Sequence, residues 1–398
     1  MQSNASPLLG IMVTELKRRL PFASSRFYEQ LTLAGDALGI QVFVFSPNRI
    51  NWQQRTIAGH SYAHETRSWK KDTFPLPSFI YDRCFFSGKD TYLQYRFHVR
   101  KLRETPGVRF LGYGLKGKWE VQQMLQQEAE LSPYLPATAV FTDEYMLKDW
   151  LKERQQLFLK PQGGSQGKGA VHLQVVSDSD GMRSFIIHGR DSRNVPLHVR
   201  FSDWTECMSY LHGLIGRRPY LVQKYLPLHT SDGTAYDIRC FVQKNRRGLW
   251  ETVGMAARAG QPGSVTSNLH GGGKALEVLS FLSGQFGENR AGVLVDTLYK
   301  LSEIIPSTLE SSHGRLAELG IDFGVDTSGQ IWILEVNSKP GRTIFSRTGD
   351  TKARIQSIVN PVRYAAYLWK TSSPGTVAPY RKSTVYPASM IVKTHIQG

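Results

Sequence analysis

Three polar side chains near the C-terminal end of the sequence have the chemistry of a magnesium site. Asp322 lies in one run of alternating apolar residues, and Glu335 and Asn337 lie in the next. A turn sequence rich in Asp, Ser and Gly separates the runs and predicts a β-hairpin. If Asp326 pairs with Ile331, Asp322 stands opposite Glu335, and Asn337 shares the face of Glu335 because side chains repeat every two residues. Two carboxylates and a carboxamide suit Mg²⁺ bound with nucleotide phosphates, although a hairpin whose polar residues face water is the alternative.

A glycine-rich loop offers a place for the phosphates themselves. The predicted strand Leu157–Pro161 runs into Gln162–Gly169, and a second strand, Ala170–Val175, follows. This is not a P-loop, because the Walker spacing fails and the loop feeds a strand rather than a helix. Loop glycines let backbone N–H groups converge on phosphate oxygens, and the cation of Lys160 would neutralise their charge. A flexible hairpin without a ligand is the alternative.

A second glycine pattern, GxGxxG at Gly112–Gly117, follows a strand and precedes the predicted helix Trp119–Leu125. No acidic residue follows at the distance of about 20 residues that a dinucleotide-binding fold needs for ribose. We therefore interpret the glycines as a domain junction. Lys118 at the start of the helix could reach a phosphate across a cleft.

Further candidate residues lie on predicted strands between these motifs. Pro219–Pro227 predicts a strand that ends in a linker, which can offer backbone hydrogen-bond groups to an adenine edge. Asp237 and Arg239 alternate along the next strand and share one face. The following strand ends at Arg258, before a second glycine-rich turn at residues 264–273. No Ser-His-Asp or Cys-His constellation stands out, and His270 in that turn is the histidine that we would mutate first.

The N-terminal part predicts an α/β unit of alternating strands and helices. The predicted strands are Leu8–Val13, Gln41–Ser46, Pro75–Asp82, which leads out of a proline-marked turn, and Val108–Gly112, with helices over Phe27–Leu38 and Thr91–Arg103. A long amphipathic helix is predicted over Arg290–Glu310, and a loosely docked tail from about Thr371.

Composition is that of an ordinary globular protein, with 40% hydrophobic and 21% charged residues in 398. No apolar run approaches the length of a membrane span, and no secretory signal is apparent, so we expect a cytoplasmic protein without a membrane partner. Cys84, Cys207 and Cys240 are odd in number and far apart, which predicts buried reduced thiols rather than a disulfide framework.

The formal net charge of +16 is spread along the chain. Basic clusters occur at Lys17–Arg19, Arg96–Arg103, Arg217–Arg218 and Lys244–Arg247 rather than in one tail. Without a nucleic-acid motif, this pattern favours a solvated basic surface, with an acidic substrate or surface as the alternative, over specific nucleic-acid binding.

Taken in order, these motifs resemble the ATP-grasp superfamily over residues 116–342. They are Lys118, Lys160 with its loop, Val222–Leu226, Asp237–Arg239, Arg258, Ser267–Gly272, Asp322 and Glu335–Asn337. A closer resemblance, to the YheC/YheD-like family of endospore coat-associated proteins, rests on Gly10–Val13, Arg26–Tyr28, Val42–Pro47, Phe74–Pro77 and Lys118–Glu120.

The resemblance implies an α/β fold of ATP-grasp type, in which two α+β subdomains clasp ATP behind an N-terminal α/β pre-ATP-grasp domain. The implied bounds are 1–115 for the N-terminal domain, 116–225 for the small subdomain, 226–370 for the C-terminal subdomain and 371–398 for the tail. It also implies ATP and Mg²⁺ as cofactors, a spore-forming source and association with the spore coat.

The resemblance assigns a role to individual residues. ATP would be bound by Lys118, Lys160, Gly163, Gly164, Ser165, Gly167, Gln223, Lys224, Leu226 and Asn268, and Mg²⁺ by Asp322, Glu335 and Asn337. Arg239, Arg258 and Lys160 would act on the transferring phosphoryl group. Gln223 stands where many superfamily members carry an acidic residue, so the ribose-binding carboxylate is not assigned by the pattern, and Asp232 is a candidate.

The implied activity is that of a carboxylate–amine ligase, which forms an amide through an acyl phosphate. Its partners would be a carboxylate substrate and an amine acceptor, with an acidic peptide or protein tail as a candidate. A kinase that phosphorylates a hydroxyl and a coat protein that binds nucleotide without turnover remain alternatives.

Overall fold

The computed structural model describes residues 7–86, 89–164, 167–260 and 273–371. Helices and sheets are mixed throughout, and three sheets follow one another along the chain, so the predicted α/β class is confirmed. The domain bounds remain a prediction. None of the described helices has the length and apolarity that crossing a membrane requires.

The first sheet has six strands and carries helices α1 and α2. Its elements are β1 (Leu8–Val13), α1 (Ser25–Asp36), β2 (Gln41–Asn51), β3 (Thr56–Ala63), β4 (Ser68–Pro75), β5 (Phe79–Arg83), α2 (Lys89–Glu104) and β6 (Arg109–Phe110). The strand order is β4-β3-β2-β1-β5-β6, with β2, β1, β5 and β6 parallel. The chain therefore passes to opposite sides of β1, and the carboxyl ends of β1 and β5 form a switch point of the kind where α/β sheets bind ligands.

Two details of this sheet go beyond the sequence prediction. The predicted stretch Pro75–Asp82 contains the last residue of β4, the proline-marked connection and then β5, which begins at Phe79. Pro75 and Pro77 lack the N–H groups that a continuous ladder needs, so the segment between the strands is a connection. The hairpin of β3 and β4, which extends the sheet beyond β2, was not predicted.

The second sheet is antiparallel and lies under two helices. Before this sheet the chain forms α3 (Lys118–Gln126), which packs in the core of the third sheet, and a short 3₁₀ helix (Ser132–Tyr134). The elements of the second sheet are β7 (Thr138–Val140), α4 (Glu144–Arg154), β8 (Gln156–Pro161), β9 (Val171–Ser177), β10 (Arg183–Arg190), β11 (Pro196–Phe201), α5 (Trp204–Ile215) and β12 (Tyr220–Lys224), in the sheet order β11-β10-β9-β8-β12-β7. Asp143 and Asp203 accept hydrogen bonds from backbone N–H groups at the starts of α4 and α5, which fixes where each helix begins. The apolar faces of both helices pack on β8, β9 and β12.

The third sheet contains the predicted hairpin. Its elements are β13 (Tyr236–Lys244), β14 (Trp250–Ala259), β15 (Lys274–Leu276), α6 (Val278–Phe286), α7 (Glu288–His313), β16 (Glu318–Val325) and β17 (Ile331–Asn337), followed by α8 (Thr343–Thr348) and α9 (Thr351–Lys370). The order is β15-β14-β13-β16-β17, and α7, predicted over Arg290–Glu310, packs on one face.

The register of the β16–β17 hairpin differs from the prediction near the turn and agrees with it at the site. Val325 rather than Asp326 pairs with Ile331, because the Asp326 carboxylate accepts hydrogen bonds from the N–H groups of its own turn. A bulge after Asp322 then shifts the register by one residue, so that Asp322 does stand opposite Glu335.

Helix α9 returns from the third sheet to the first. Ile358, Val362 and Leu368 pack in one apolar cluster with Leu9 and Leu31. Cys84, Cys207 and Cys240 are buried free thiols, as predicted.

A buried ion pair also joins the first and third sheets. The Arg83 guanidinium on β5 donates to the Glu318 carboxylate on β16 at 2.8 Å, and the Tyr81 hydroxyl donates to the same carboxylate at 2.7 Å. The first sheet is thus held against the strand that carries Asp322.

Candidate active site

A cleft of about 1580 Å³ opens where the three sheets face one another. The second sheet contributes Lys160 and the residues after it, the third contributes Asp322 and Glu335, and the first contributes the ends of β5 and α2. Most of the predicted site residues that the structure describes line this one cleft, although they are spread over more than 200 positions of the chain.

One end of the cleft is apolar and flat-walled. The His172 and Tyr225 rings are stacked with centroids 3.8 Å apart and planes at 14°. Phe158 stands opposite His172 on the neighbouring strand, and Leu226 and Leu334 line the same cleft. Burial, helped by the nearby His188, lowers the pKa of His172 to about 4, so its imidazole is neutral at physiological pH. A planar, uncharged base fits such a surface.

Gln223 lies beside this apolar end and is only 4% exposed. Its amide N–H donates to the Thr138 hydroxyl at 2.8 Å, and its carbonyl accepts from Lys160 at 3.3 Å. The neighbouring Lys224 lines the cleft with its ammonium 5.2 Å from the centre of the Trp332 ring. The predicted adenine linker therefore contributes an anchored Gln223, although its contact with a base stays a prediction.

Lys160 projects from β8 into the middle of the cleft. Its ammonium donates to the backbone carbonyl of Leu334 at 3.4 Å. Burial and the neighbouring charge of Lys118 lower the pKa of Lys160 to about 8, against the opposing attraction of Glu335. Lys118 itself lies 3.6 Å from the Glu335 carboxylate. Two cations that crowd one carboxylate form a centre that an added anion would stabilise.

Four charged residues form a row across β14, β13 and β16. Arg239 stands opposite Asp322 and Arg258 opposite Asp237 in the strand register. Arg239 donates to the Asp322 carboxylate at 2.9 Å, and Arg258 lies 3.1 Å from the same group while also pairing with Asp237. Burial alone would raise the pKa of Asp322, but the two arginines outweigh it and hold that pKa below its ordinary value. The carboxylate is therefore charged, and both guanidinium groups are fixed in place.

The predicted metal ligands lie together on the hairpin. Asp322 pairs with Glu335, Asn337 follows two residues later, and all three line the cleft. Within the described ranges, no group of three or more His, Cys, Asp and Glu side chains is placed to hold a metal. Two carboxylates and an amide supply hard oxygen atoms but not a full shell. This donor set fits Mg²⁺ that keeps phosphate oxygens and water as its other ligands.

The glycine-rich loop borders the cleft between β8 and β9. Gly163, Gly164, Gly167 and Lys168 line it. Gly164 has a φ of +106°, where a side chain would strain the backbone, and open space surrounds the position that its Cβ would occupy. The loop is thus free to approach a ligand with its backbone. Ser165, Asn268 and His270 lie outside the described residues.

Asp232, the candidate ribose ligand, is placed apart from the rest of the set. Its carboxylate accepts from the Thr230 hydroxyl and from the Thr234 N–H at 3.1 Å, so it is used by its own turn. It is not among the residues that line the cleft. Its role stays a prediction without support from the geometry.

Sequence reasoning found only part of the apolar end of the site. It named Leu226 but neither His172 nor Phe158. The alternation along β8, which puts Phe158 on the same face as Lys160, is the signal that could have found it.

Comparisons with known proteins identify the family and the fold of the chain. The model of a family described as YheC/D like ATP-grasp matches residues 107–368. The endospore coat-associated protein YheC of Bacillus subtilis (strain 168) is 30% identical over 351 residues, which are 88% of this chain and 94% of that protein. YheD of the same organism is 27% identical over 372 residues, 91% of this chain and 79% of that protein. Among solved structures, D-cycloserine synthetase DcsG superposes with a TM-score of 0.52 at 12% identity, covering 89% of this chain and 99% of that one, and so shares the fold.

Proposed function

The chain belongs to the YheC/D-like ATP-grasp family, and from this premise we propose that it is an ATP-dependent ligase that joins a carboxylate to an amine. The reaction would have two steps. A carboxylate oxygen attacks the γ-phosphorus of ATP and ADP leaves. The amine nitrogen then attacks the acyl carbon, phosphate leaves, and the nitrogen gives up a proton.

The observation that carries this proposal is the meeting of two surfaces in one cleft. The flat apolar end around His172 and Tyr225 adjoins the cationic centre of Lys118 and Lys160. The arginine row with Arg239 lies on the same cleft. A nucleoside triphosphate has this sequence of parts, a flat base followed by a chain of anions.

The chain's own residues would act by binding and orientation. Lys118 and Lys160 would hold the α- and β-phosphates, because these cations lack enough opposing charge without a ligand. The loop of Gly163, Gly164 and Gly167 would cover the triphosphate with backbone N–H groups. Arg239 and Arg258 are fixed by ion pairs and would meet the charge that develops on the transferring phosphoryl group.

Mg²⁺ would be held by Asp322, Glu335 and Asn337 together with phosphate oxygens. When bound, the ion would neutralise charge on the phosphates and polarise the phosphoryl group. Glu335 is at present drawn toward Lys118, and an arriving phosphate would compete for that ammonium. Lys118 therefore couples the phosphate site to the metal site.

The relatives suggest where the ligase acts. YheC and YheD are named as endospore coat-associated proteins, and we extend that association to this chain as part of the proposal. We place the ligase in the cytoplasm. Its product, or the protein itself, would then be delivered to the spore coat. Specific nucleic acid and membrane lipid are not among its proposed partners.

The proposal is tested by incubating purified protein with ATP, Mg²⁺ and spore extract and following ADP release and mass additions. We expect ADP formation together with an amide-linked adduct. Lys160→Met should abolish both, whereas Lys152→Met, which removes an exposed lysine of α4 outside the cleft, should abolish neither. A stable phosphate on an acceptor hydroxyl would indicate a kinase. Nucleotide binding without ADP formation in any extract would indicate a coat protein without turnover.

A further inference from the structure

The cleft carries far more positive than negative charge, and much of the surplus lies away from the proposed phosphate site. Among the described residues that line it, the acids are Asp82, Asp237, Asp322 and Glu335, and the cations are Arg83, Arg96, Arg100, Arg103, Lys118, Lys160, Lys168, Lys224, Arg239, Arg258, Lys339 and Arg347. Mg²⁺ bound with a triphosphate would neutralise much of the nucleotide's own charge. The nucleotide alone therefore does not account for this cationic lining.

Three of the cations form a stripe on one face of α2. Arg96, Arg100 and Arg103 follow at spacings of four and three residues, which places them within about 60° of one another around the helix axis and along about 10 Å of its length. All three are exposed and line the cleft. We call these three residues the α2 stripe.

The charges of the α2 stripe are almost unopposed. In the described part of the chain, Arg96 and Arg103 form no ion pair, and Arg100 has only a 3.8 Å contact with the exposed Glu104. The acid on that side of the cleft, Asp82, is already paired with Lys339 at 2.8 Å. Like charges held so close together repel one another, and a ligand with several anionic groups would relieve that repulsion.

The position of the stripe connects it to the switch point of the first sheet. The Thr14 hydroxyl after β1 donates to the Phe85 carbonyl after β5 at 2.8 Å, so a hydrogen bond joins the segments that follow these two strands. Phe85, Phe86 and Tyr92 continue from there along the cleft to the α2 stripe. Ligands of α/β sheets bind outside such strand ends. The strand ends of β1 and β5 and the charge of the α2 stripe therefore point to the same region of the cleft.

We propose that the α2 stripe binds a substrate with several carboxylates, an acidic peptide segment, and holds it in the cleft beside the phosphoryl-transfer residues. This inference rests on the proposed ligase, whose chemistry requires a carboxylate at the Arg239 and Arg258 end. One carboxylate of the segment reacts, and the others pair with the guanidinium groups of the stripe. A single-stranded nucleic acid is the competing polyanion, and the experiment separates the two.

The test measures binding of a hexaglutamate peptide to the full chain by fluorescence anisotropy at low salt. The test variant is Arg96→Gln/Arg100→Gln/Arg103→Gln. The matched control is Lys17→Gln/Arg18→Gln/Arg19→Gln, which removes the same formal charge at exposed positions that do not line the cleft. Each exposed ion pair contributes a factor of roughly two to the affinity for hexaglutamate, so loss of three should weaken binding about tenfold in the test variant. The control should bind as the unmodified chain does.

A single variant guards against misfolding of the triple one. Arg96→Glu changes an exposed side chain that forms no ion pair in the described ranges, and it should also weaken hexaglutamate binding while the thermal melt stays unchanged. The proposal is overturned if the unmodified chain does not bind the peptide, or if the stripe variants and the control bind equally well. It is also overturned if a six-nucleotide oligothymidine binds more tightly than hexaglutamate and depends on the stripe.

Failure of the ligase proposal has a different signature. It would appear as absence of ADP·Mg²⁺ binding or of ATP turnover in the unmodified chain. Stripe-dependent hexaglutamate binding is measured without nucleotide, so the two results are independent.

Discussion

The pKa of Lys160 makes nucleotide binding depend on pH in a direction that can be measured. Burial and the charge of Lys118 lower this pKa to about 8, so the Lys160 amine is roughly 90% protonated at pH 7 and roughly 10% protonated at pH 9. If only the protonated form holds the phosphates, affinity for ADP·Mg²⁺ should fall about tenfold between these pH values, a loss of about 1.4 kcal/mol. Affinity falls rather than rises with pH because a bound phosphate stabilises the protonated form of Lys160, whereas burial destabilises it. Binding above pH 8 should therefore take up a proton.

Calorimetric titration with ADP·Mg²⁺ across pH 7 to 9, in buffers of different ionisation enthalpy, measures both the affinity and the proton uptake. Lys160→Arg should bind with little dependence on pH, because a guanidinium stays protonated throughout. Lys118→Met removes a like charge and should move the loss of affinity to higher pH, whereas Glu335→Gln removes an attraction and should move it to lower pH. An affinity that is flat with pH in the unmodified chain, or that falls equally in Lys160→Arg, would refute the reasoning.

Three other predictions concern the hairpin, the base pocket and the last helix. Glu335→Gln and Asn337→Ala should each lower metal-dependent ATP turnover and leave the circular dichroism melt intact, and unchanged turnover in both would remove the metal assignment. His172→Phe should keep ADP affinity because the neutral imidazole acts as a flat surface, while His172→Asp should weaken it in the same titration; equal affinities would contradict an apolar base pocket. Val362→Ala should lower the free energy of unfolding by about 2 kcal/mol in urea titration, since the side chain is fully buried, and a stability equal to that of the unmodified chain would argue against its role in the core.

Local patterns in the sequence predicted much of the fold. β1 occupies Leu8–Val13 as predicted, and the resemblance to the YheC/YheD-like family is confirmed by the family model and by both relatives. β1 was predictable because it is a short continuous apolar run, and such a run is buried on both faces in the folded chain. The β3–β4 hairpin was missed because its strands are half exposed and alternate weakly.

The site was less predictable because its contacts join distant strands. Asp322 could be placed opposite Glu335 from the hairpin alone, since both are local to one turn. That Arg239 and Arg258 would both pair with Asp322 depends on the order β14-β13-β16, which no local pattern specifies. The hairpin shows the same limit. The predicted pairing of Asp326 with Ile331 was wrong by one residue, and Asp322 stands opposite Glu335 only because the bulge after Asp322 shifts the register back by one residue.

The return of α9 to the first sheet has a consequence for how the chain folds as it is synthesised. The apolar cluster that contains Leu9 and Leu31 is completed only by Ile358, Val362 and Leu368. A ribosome must therefore translate most of the chain before the first sheet can bury that face, and until then the exposed surface is open to aggregation or to chaperones. Contacts of such long sequence separation also make folding slow, because closing the loop costs entropy before the contacts repay it. The earliest strands to emerge are thus among the last to be fully packed.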